Sequence, residues 1–128
     1  MSRLHVSSGG PWEEMGGYSR ALAVGDACWV AGTTDAGPDG ESIHPGDAAA
    51  QARAAFAIVE GALAEAGFAL DDVVRTRTYI TDPADADAVA AVHGEIFRGV
   101  RPAATLVVVA GLIRPSLLVE VEADARRA

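Results

Sequence analysis

The sequence predicts an α+β fold in which a mixed sheet is covered on one face by two helices. Two stretches, Val73 to Thr81 and Leu117 to Asp124, alternate polar and apolar residues with the period of two expected of half-buried strands. Two others, Asp47 to Gly67 and Ala86 to Gly99, repeat apolar residues at helical spacing. With further short β-type runs, the order reads β-β-α-β-α-β-β, and residues 1–128 suffice for one domain around one core.

Taken in order, the segment through Met15 is rich in Ser, Gly and Pro and reads as irregular or as a sheet edge. Two roles are open to Trp12 within it: covering the core, or lining a pocket with its flat apolar face and single donor. Tyr18 to Val24 and Ala27 to Thr34 flank a Gly25-Asp26 step and read as a hairpin. Asp35 to Pro45, with Gly37, Pro38, Asp39, Gly40 and Pro45, reads as a mobile loop and a candidate lid.

Asp47 is the expected N-cap of a helix of about five turns, with Ala52, Ala55, Phe56, Val59, Leu63 and Ala66 on its inner stripe and Gly67 as its stop. Its alanines permit close approach to a sheet, so this helix, like Cys28, is read as core. The alternation after it places Val74, Thr76, Thr78 and Ile80 on one face of a strand and Arg75, Arg77 and Tyr79 on the other. In the last strand Val119, Val121 and Ala123 oppose Glu120, Glu122 and Asp124. The two polar faces carry opposite charge. They either pair structurally, at about 0.2 to 1 kcal/mol per exposed pair, or serve a site.

Asp82-Pro83 ends the arginine-bearing strand, and Ala86, Val89, His93, Ile96 and Phe97 form the stripe of the second helix. A histidine on such a stripe is ordinarily hydrogen-bonded in a core or interface; the alternative for His93 is contact with a ligand. Arg101 to Leu112, a Pro102-led β-branched run, reads as a strand beside Leu117 to Ala123, so that Glu120 faces the mouth between them.

A net charge of -8 argues against wrapping RNA or another polyanion, so no nucleic-acid partner is expected. No apolar run approaches the roughly 20 residues of a bilayer span, and no membrane partner is expected either. The single cysteine and an N-terminus without a long apolar stretch make the cytoplasm the default location. The histidines are scattered and no paired-cysteine or calcium-loop pattern occurs, so neither a metal nor a cofactor is expected.

Several short motifs in order, Val30-Ala31-Gly32-Thr33, Ala66-Gly67, Asp72-Val73-Val74-Arg75-Thr76, Thr81-Asp82, Arg101-Pro102-Ala103 and Val119-Glu120-Val121-Glu122-Ala123, resemble the RidA (YjgF/YER057c) family nearly end to end. The resemblance implies a chorismate-mutase-like fold and a homotrimer, with clefts between subunits that bind small carboxylates or keto acids. It also implies hydrolysis of reactive enamines and imines, such as 2-aminoacrylate, to a keto acid and ammonia. Glu120 matches the family's cleft carboxylate, which orients or activates water, and Tyr18 matches its cleft tyrosine. Ala104 stands where the deaminases carry the arginine that grips the substrate carboxylate, and Leu106 where they often carry cysteine, which marks a divergent member.

The site expected from these readings has Glu120 as acid/base through a water, with Tyr18 and Arg77 polarising the substrate. Backbone amides near Gly32 and Thr105 would hold an oxygen, and Trp12, Thr33, His93, Ala104 and Leu106 would line the cleft. Arg20 or Arg77 is the candidate replacement for the missing arginine. The function expected is processing of an enamine, imine or related carbonyl metabolite other than 2-aminoacrylate. The alternative is a non-catalytic trimer that binds or senses a metabolite. A ribonuclease activity, attached by name to some members of the family, fits poorly with the acidic charge.

Overall fold

The structure is a computed structural model and describes residues 2–128. Six strands, β1 (Arg3–Val6), β2 (Ala21–Val24), β3 (Ala27–Thr33), β4 (Val73–Ile80), β5 (Ala103–Val108) and β6 (Val119–Arg126), form one mixed sheet in the order β1-β2-β3-β6-β4-β5. Only β4 and β5 are parallel, joined through the helix α3 (Ala86–Phe97) as a parallel pair requires. The helix α2 (Ala48–Glu65) connects β3 to β4, and these two helices pack on one face as expected.

That face is closed by alternation. Val119, Val121, Ala123 and Ala125 of β6 and Thr76, Thr78 and Ile80 of β4 are buried. Against them lie Ala52, Ala55, Phe56, Val59 and Leu63 of α2 and Val89, Val92 and Phe97 of α3, all buried. Phe56 and Phe97 meet edge to face across the two helices, centroids 5.4 Å apart. Asp47 caps α2 by accepting from the Ala50 amide at 3.0 Å, and the chain leaves through Gly67 at φ 86°, a conformation that glycine adopts without strain.

The segment through Met15 forms the sheet edge, the second of its two readings, as β1, and adds a third, six-residue helix, α1 (Pro11–Gly16), opened by Pro11 and closed by Gly17 in the left-handed conformation. Two expectations are corrected. β5 and β6 are not neighbours, because the α3 crossover sets β5 on the far side of β4. Val74 is 50% exposed rather than inward, because a register shift between Val73 and Arg75 hands its place to Val73.

The loop from Asp35 to Pro45 is pinned at its base. Buried Asp35 accepts through Oδ2 from the Ser42 hydroxyl at 2.8 Å and the His44 amide at 3.1 Å. Fully buried Gln51 of α2 donates to the carbonyls of His44 (3.2 Å) and Ser116 (3.0 Å) and accepts from the Leu118 amide at 2.8 Å. One side-chain amide thus joins this loop, the start of β6 and the helix. Gln51→Leu would leave an amide and two carbonyls without it, and is expected to lower the unfolding free energy by about 2 to 3 kcal/mol, read from urea denaturation midpoints.

Candidate functional site

Burial of Val119 and Val121 forces Glu120 onto the sheet face that the helices leave free. Next to it, the register between β3 and β6 shifts between Val30 and Thr33. Gly32 lies in this irregularity, and a Cβ there would land on the Glu120 carboxylate Oε2. Gly32 is outside the left-handed region, so its missing side chain serves space rather than backbone conformation. A glycine and a bulge together make room for a carboxylate against the sheet.

Around this carboxylate is a cleft of about 650 Å³, the walls of which come from α1, the approach to β2, the end of β3 and the loop after it. Pro11, Trp12 and Met15 from α1, Pro38 from the pinned loop and Ile113 supply apolar wall; Tyr18, Arg20, Thr33 and Glu120 supply polar groups.

Arg20 is only 8% exposed and is committed on several sides. Its guanidinium donates to the Gly32 carbonyl at 2.5 Å and the Thr33 hydroxyl at 2.8 Å, and lies 3.5 Å from the Tyr18 hydroxyl. Its Nε is 3.6 Å from the carboxylate of Glu13, itself 6% exposed. Glu13 also accepts from the amide and hydroxyl of Ser8. Burial pushes the Glu13 carboxyl up, but the hydrogen bonds from Ser8 and Ser7 and the charge of Arg20 outweigh it and hold the group below its usual value.

Glu120 is shifted the opposite way. Burial raises its pKa, the Glu122 carboxylate raises it further, and Arg20 only partly offsets them. A carboxylate held in this way is a stronger base than a solvated one and is suited to accept and return a proton.

The family model described as endoribonuclease L-PSP matches residues 11–127. The chain belongs to this family, the RidA/YjgF proteins. The crystal structure of Rv2704 from Mycobacterium tuberculosis, a member of the YjgF/YER057c/UK114 family, superposes with a TM-score of 0.89 at 47% identity, covering 98% of this chain and 100% of that one. The uncharacterized protein SCO2049 of Streptomyces coelicolor is 45% identical over 95% of this chain and 90% of its own length. The 3-aminoacrylate deaminase RutC of Acinetobacter baylyi is 34% identical over 81% of this chain and 82% of its own.

Of the residues expected at the site of this RidA/YjgF chain, Trp12, Tyr18, Gly32, Thr33 and Glu120 meet in the cleft. Ala104, Thr105 and Leu106 do not join them within the chain: they sit on the outer strand β5, paired with Thr76, Arg77 and Thr78, with β4 between them and β6. Arg77 does not line the cleft; it lies 3.5 Å from Glu122 and 3.4 Å from Asp124, in a cross-strand ladder. Tyr79 donates to Glu122 in the same ladder at 2.9 Å, and this hydrogen bond, with burial, raises the phenol's pKa.

His93 is on the opposite, helical side of the sheet, its Nε2 2.8 Å from the Thr76 hydroxyl and its ring packed between Phe56 and Phe97. Burial lowers its pKa, as for a neutral core imidazole. Sequence reasoning missed Glu13. Its only signal was a carboxylate one short helix away from an arginine. No three His, Cys, Asp or Glu side chains among the described residues are grouped to hold a metal ion, and none of the described helices is long and apolar enough to cross a membrane.

Because folding raises the Glu120 pKa above its unfolded value, the folded state binds this proton more tightly. The group therefore weakens the protein as pH rises through the folded pKa and imposes no penalty below the unfolded one. Glu120→Gln is expected to be at least as stable as the parent at pH 7.5, with the difference in melting temperature closing as the pH falls below about 4; calorimetry across that range checks it.

Proposed function

We propose that this protein is a homotrimeric Rid enzyme of the cytoplasm, one domain per subunit, that hydrolyses an enamine, imine or related carbonyl metabolite in clefts between subunits, and that 2-aminoacrylate is not its substrate. The observation that carries the reading is Glu120: a desolvated carboxylate with a raised pKa, seated over Gly32 beside Tyr18 in an open cleft. The 34% identity to a 3-aminoacrylate deaminase supports chemistry of this type.

In the proposed reaction an enamine first takes a proton on carbon and becomes an iminium ion. Water then adds to the iminium carbon as Glu120 takes a proton from it, giving a neutral carbinolamine, and Glu120 returns that proton to the nitrogen. The C–N bond breaks as the hydroxyl loses its proton and becomes the carbonyl, so that ammonia leaves, the first proton is regained and one water is consumed per ammonia released. Tyr18, whose hydroxyl is 3.5 Å from the Arg20 guanidinium, is placed to hold the polar end of the substrate.

The trimer is supported by the surface left bare. All six residues of β5 are exposed on a free edge, with Leu106, Val107 and Val108 among them, and such an edge invites another chain. A second copy of β5 against the cleft would bring Ala104, Thr105 and Leu106 to the outer wall. The open sheet edge, the charge of -8 and the carboxylate in the cleft all favour this over an RNA-cutting role.

Sedimentation and ammonia release together test the reading. A trimer at micromolar concentration that releases ammonia from an imine, with turnover falling at least about a hundredfold in Glu120→Gln, is the expected result. A monomer would remove the intersubunit cleft. A trimer inert towards every imine tried would favour the metabolite-binding alternative, which the loss of the arginine at Ala104 also favours.

Hydrolysis of 2-aminoacrylate generated in situ is expected to be weak or absent. Ala104→Arg is expected to raise it about tenfold or more by restoring a fork for the substrate carboxylate. Fast turnover by the parent protein would show that Ala104 does not matter.

A further inference from the structure

The charges lining the cleft say more about its ligand than the identity of the reaction does. Among the described residues lining it, only Arg20 and Glu120 are charged. Arg20, 8% exposed, is largely committed: Glu13 faces its Nε at 3.6 Å, the Gly32 carbonyl and Thr33 hydroxyl share Nη1, and Nη2 lies 3.5 Å from the Tyr18 hydroxyl. Arg114, whose guanidinium lies 5.7 Å from the Trp12 ring, is likewise paired with Glu41 at 3.5 Å. Should β5 of a second copy close the cleft, its residues Ala103 to Val108 add no charge.

What remains is a single carboxylate, Glu120, beside the faces of Trp12, Met15, Pro38 and Ile113. A ligand carboxylate placed there would lose water, meet like charge and find no free cation. A cation in the same position would meet Glu120 and an aromatic face together.

We infer that the cleft takes a primary amine or iminium compound that carries an aromatic or branched apolar group and no carboxylate. The inference rests on the reading of this cleft as the ligand site and narrows the substrate to imines of uncharged-side amines, away from those of amino acids. It also gives Glu13 a role, as the residue that positions and neutralises Arg20 and so rejects acids.

The test is a matched pair of probes, 2-phenylethylamine and 3-phenylpropanoate, titrated into the full-length protein by calorimetry at low ionic strength. The amine is expected to bind about tenfold or more tightly than the acid, a difference of about 1.4 kcal/mol. Glu120→Gln is expected to bring the two within about twofold. Glu13→Gln, by freeing Arg20, is expected to strengthen the acid relative to the amine and so narrow the preference. Equal or tighter binding of the acid to the parent protein, binding of neither probe at millimolar concentration, or an amine preference that survives Glu120→Gln would overturn the inference. Should Glu13→Gln fail to fold, the Glu120→Gln comparison still decides. Ammonia release is measured separately: an amine preference without turnover keeps this inference and removes the hydrolase, while turnover of carboxylate imines without the preference does the reverse.

Discussion

Strand β6 lies between β3 and β4, and both the core and the cleft depend on its alternation. Its Val119, Val121, Ala123 and Ala125 are within 3% of complete burial, and any slip of one residue would turn all four away from the helices. A slip of one residue would carry Glu120, Glu122 and Asp124 into the core, at several kcal/mol for each unpaired charge. Hydrophobic burial on one face thus fixes acidic groups on the other. The three acids then diverge according to their neighbours. Glu122 and Asp124 meet Arg77, and Glu120, one step beyond the arginine, meets Gly32 and the cleft.

The ion pair of Arg20 and Glu13 is the second element on which the site rests. Both groups are more than nine-tenths buried, an arrangement that gains little net stability over an apolar pair and is costly to break by halves. Its value here is geometric. Arg20 ties the end of β3, through Gly32 and Thr33, to α1 through Glu13, and so holds Trp12 of that helix over the sheet face. The charge of the arginine is consumed in building the wall, which leaves the electrostatics of the cleft to Glu120.

The α+β class, the two covering helices and the inward and outward faces of β6 were legible because each rests on a local period repeated several times. The six residues of α1 are too few to show one, and the Gly and Pro around them read equally well as loop. The adjacency of strands was not local information: β5 looks like a partner of β6 along the chain, but the helical crossover commits it to β4. Val74 was misplaced by a single bulge. Glu120, Tyr18 and Gly32, drawn from the family resemblance, line one cleft, whereas Arg77, proposed from its strand face, is engaged by cross-strand acids away from it. His93 shows the ordinary fate of a histidine on an apolar stripe, a hydrogen bond to a buried threonine.

Glu13 and Ala104 make sense together. On the proposed reading, an enzyme that binds an amino-acid-derived imine would need a free guanidinium facing the substrate carboxylate; this chain has alanine at position 104 and an arginine, Arg20, in the cleft wall. Left unpaired, Arg20 would bind acids and lower the Glu120 pKa by its field. Glu13 attenuates both effects, and the carboxyl of Glu120 stays above its usual value despite a guanidinium in its surroundings. On that reading, alanine at one position offers no grip on a carboxylate, and pairing at the other prevents a substitute grip from forming. Both features bear on the same property of the ligand, its charge, and leave the Glu120 carboxylate exposed to the cleft.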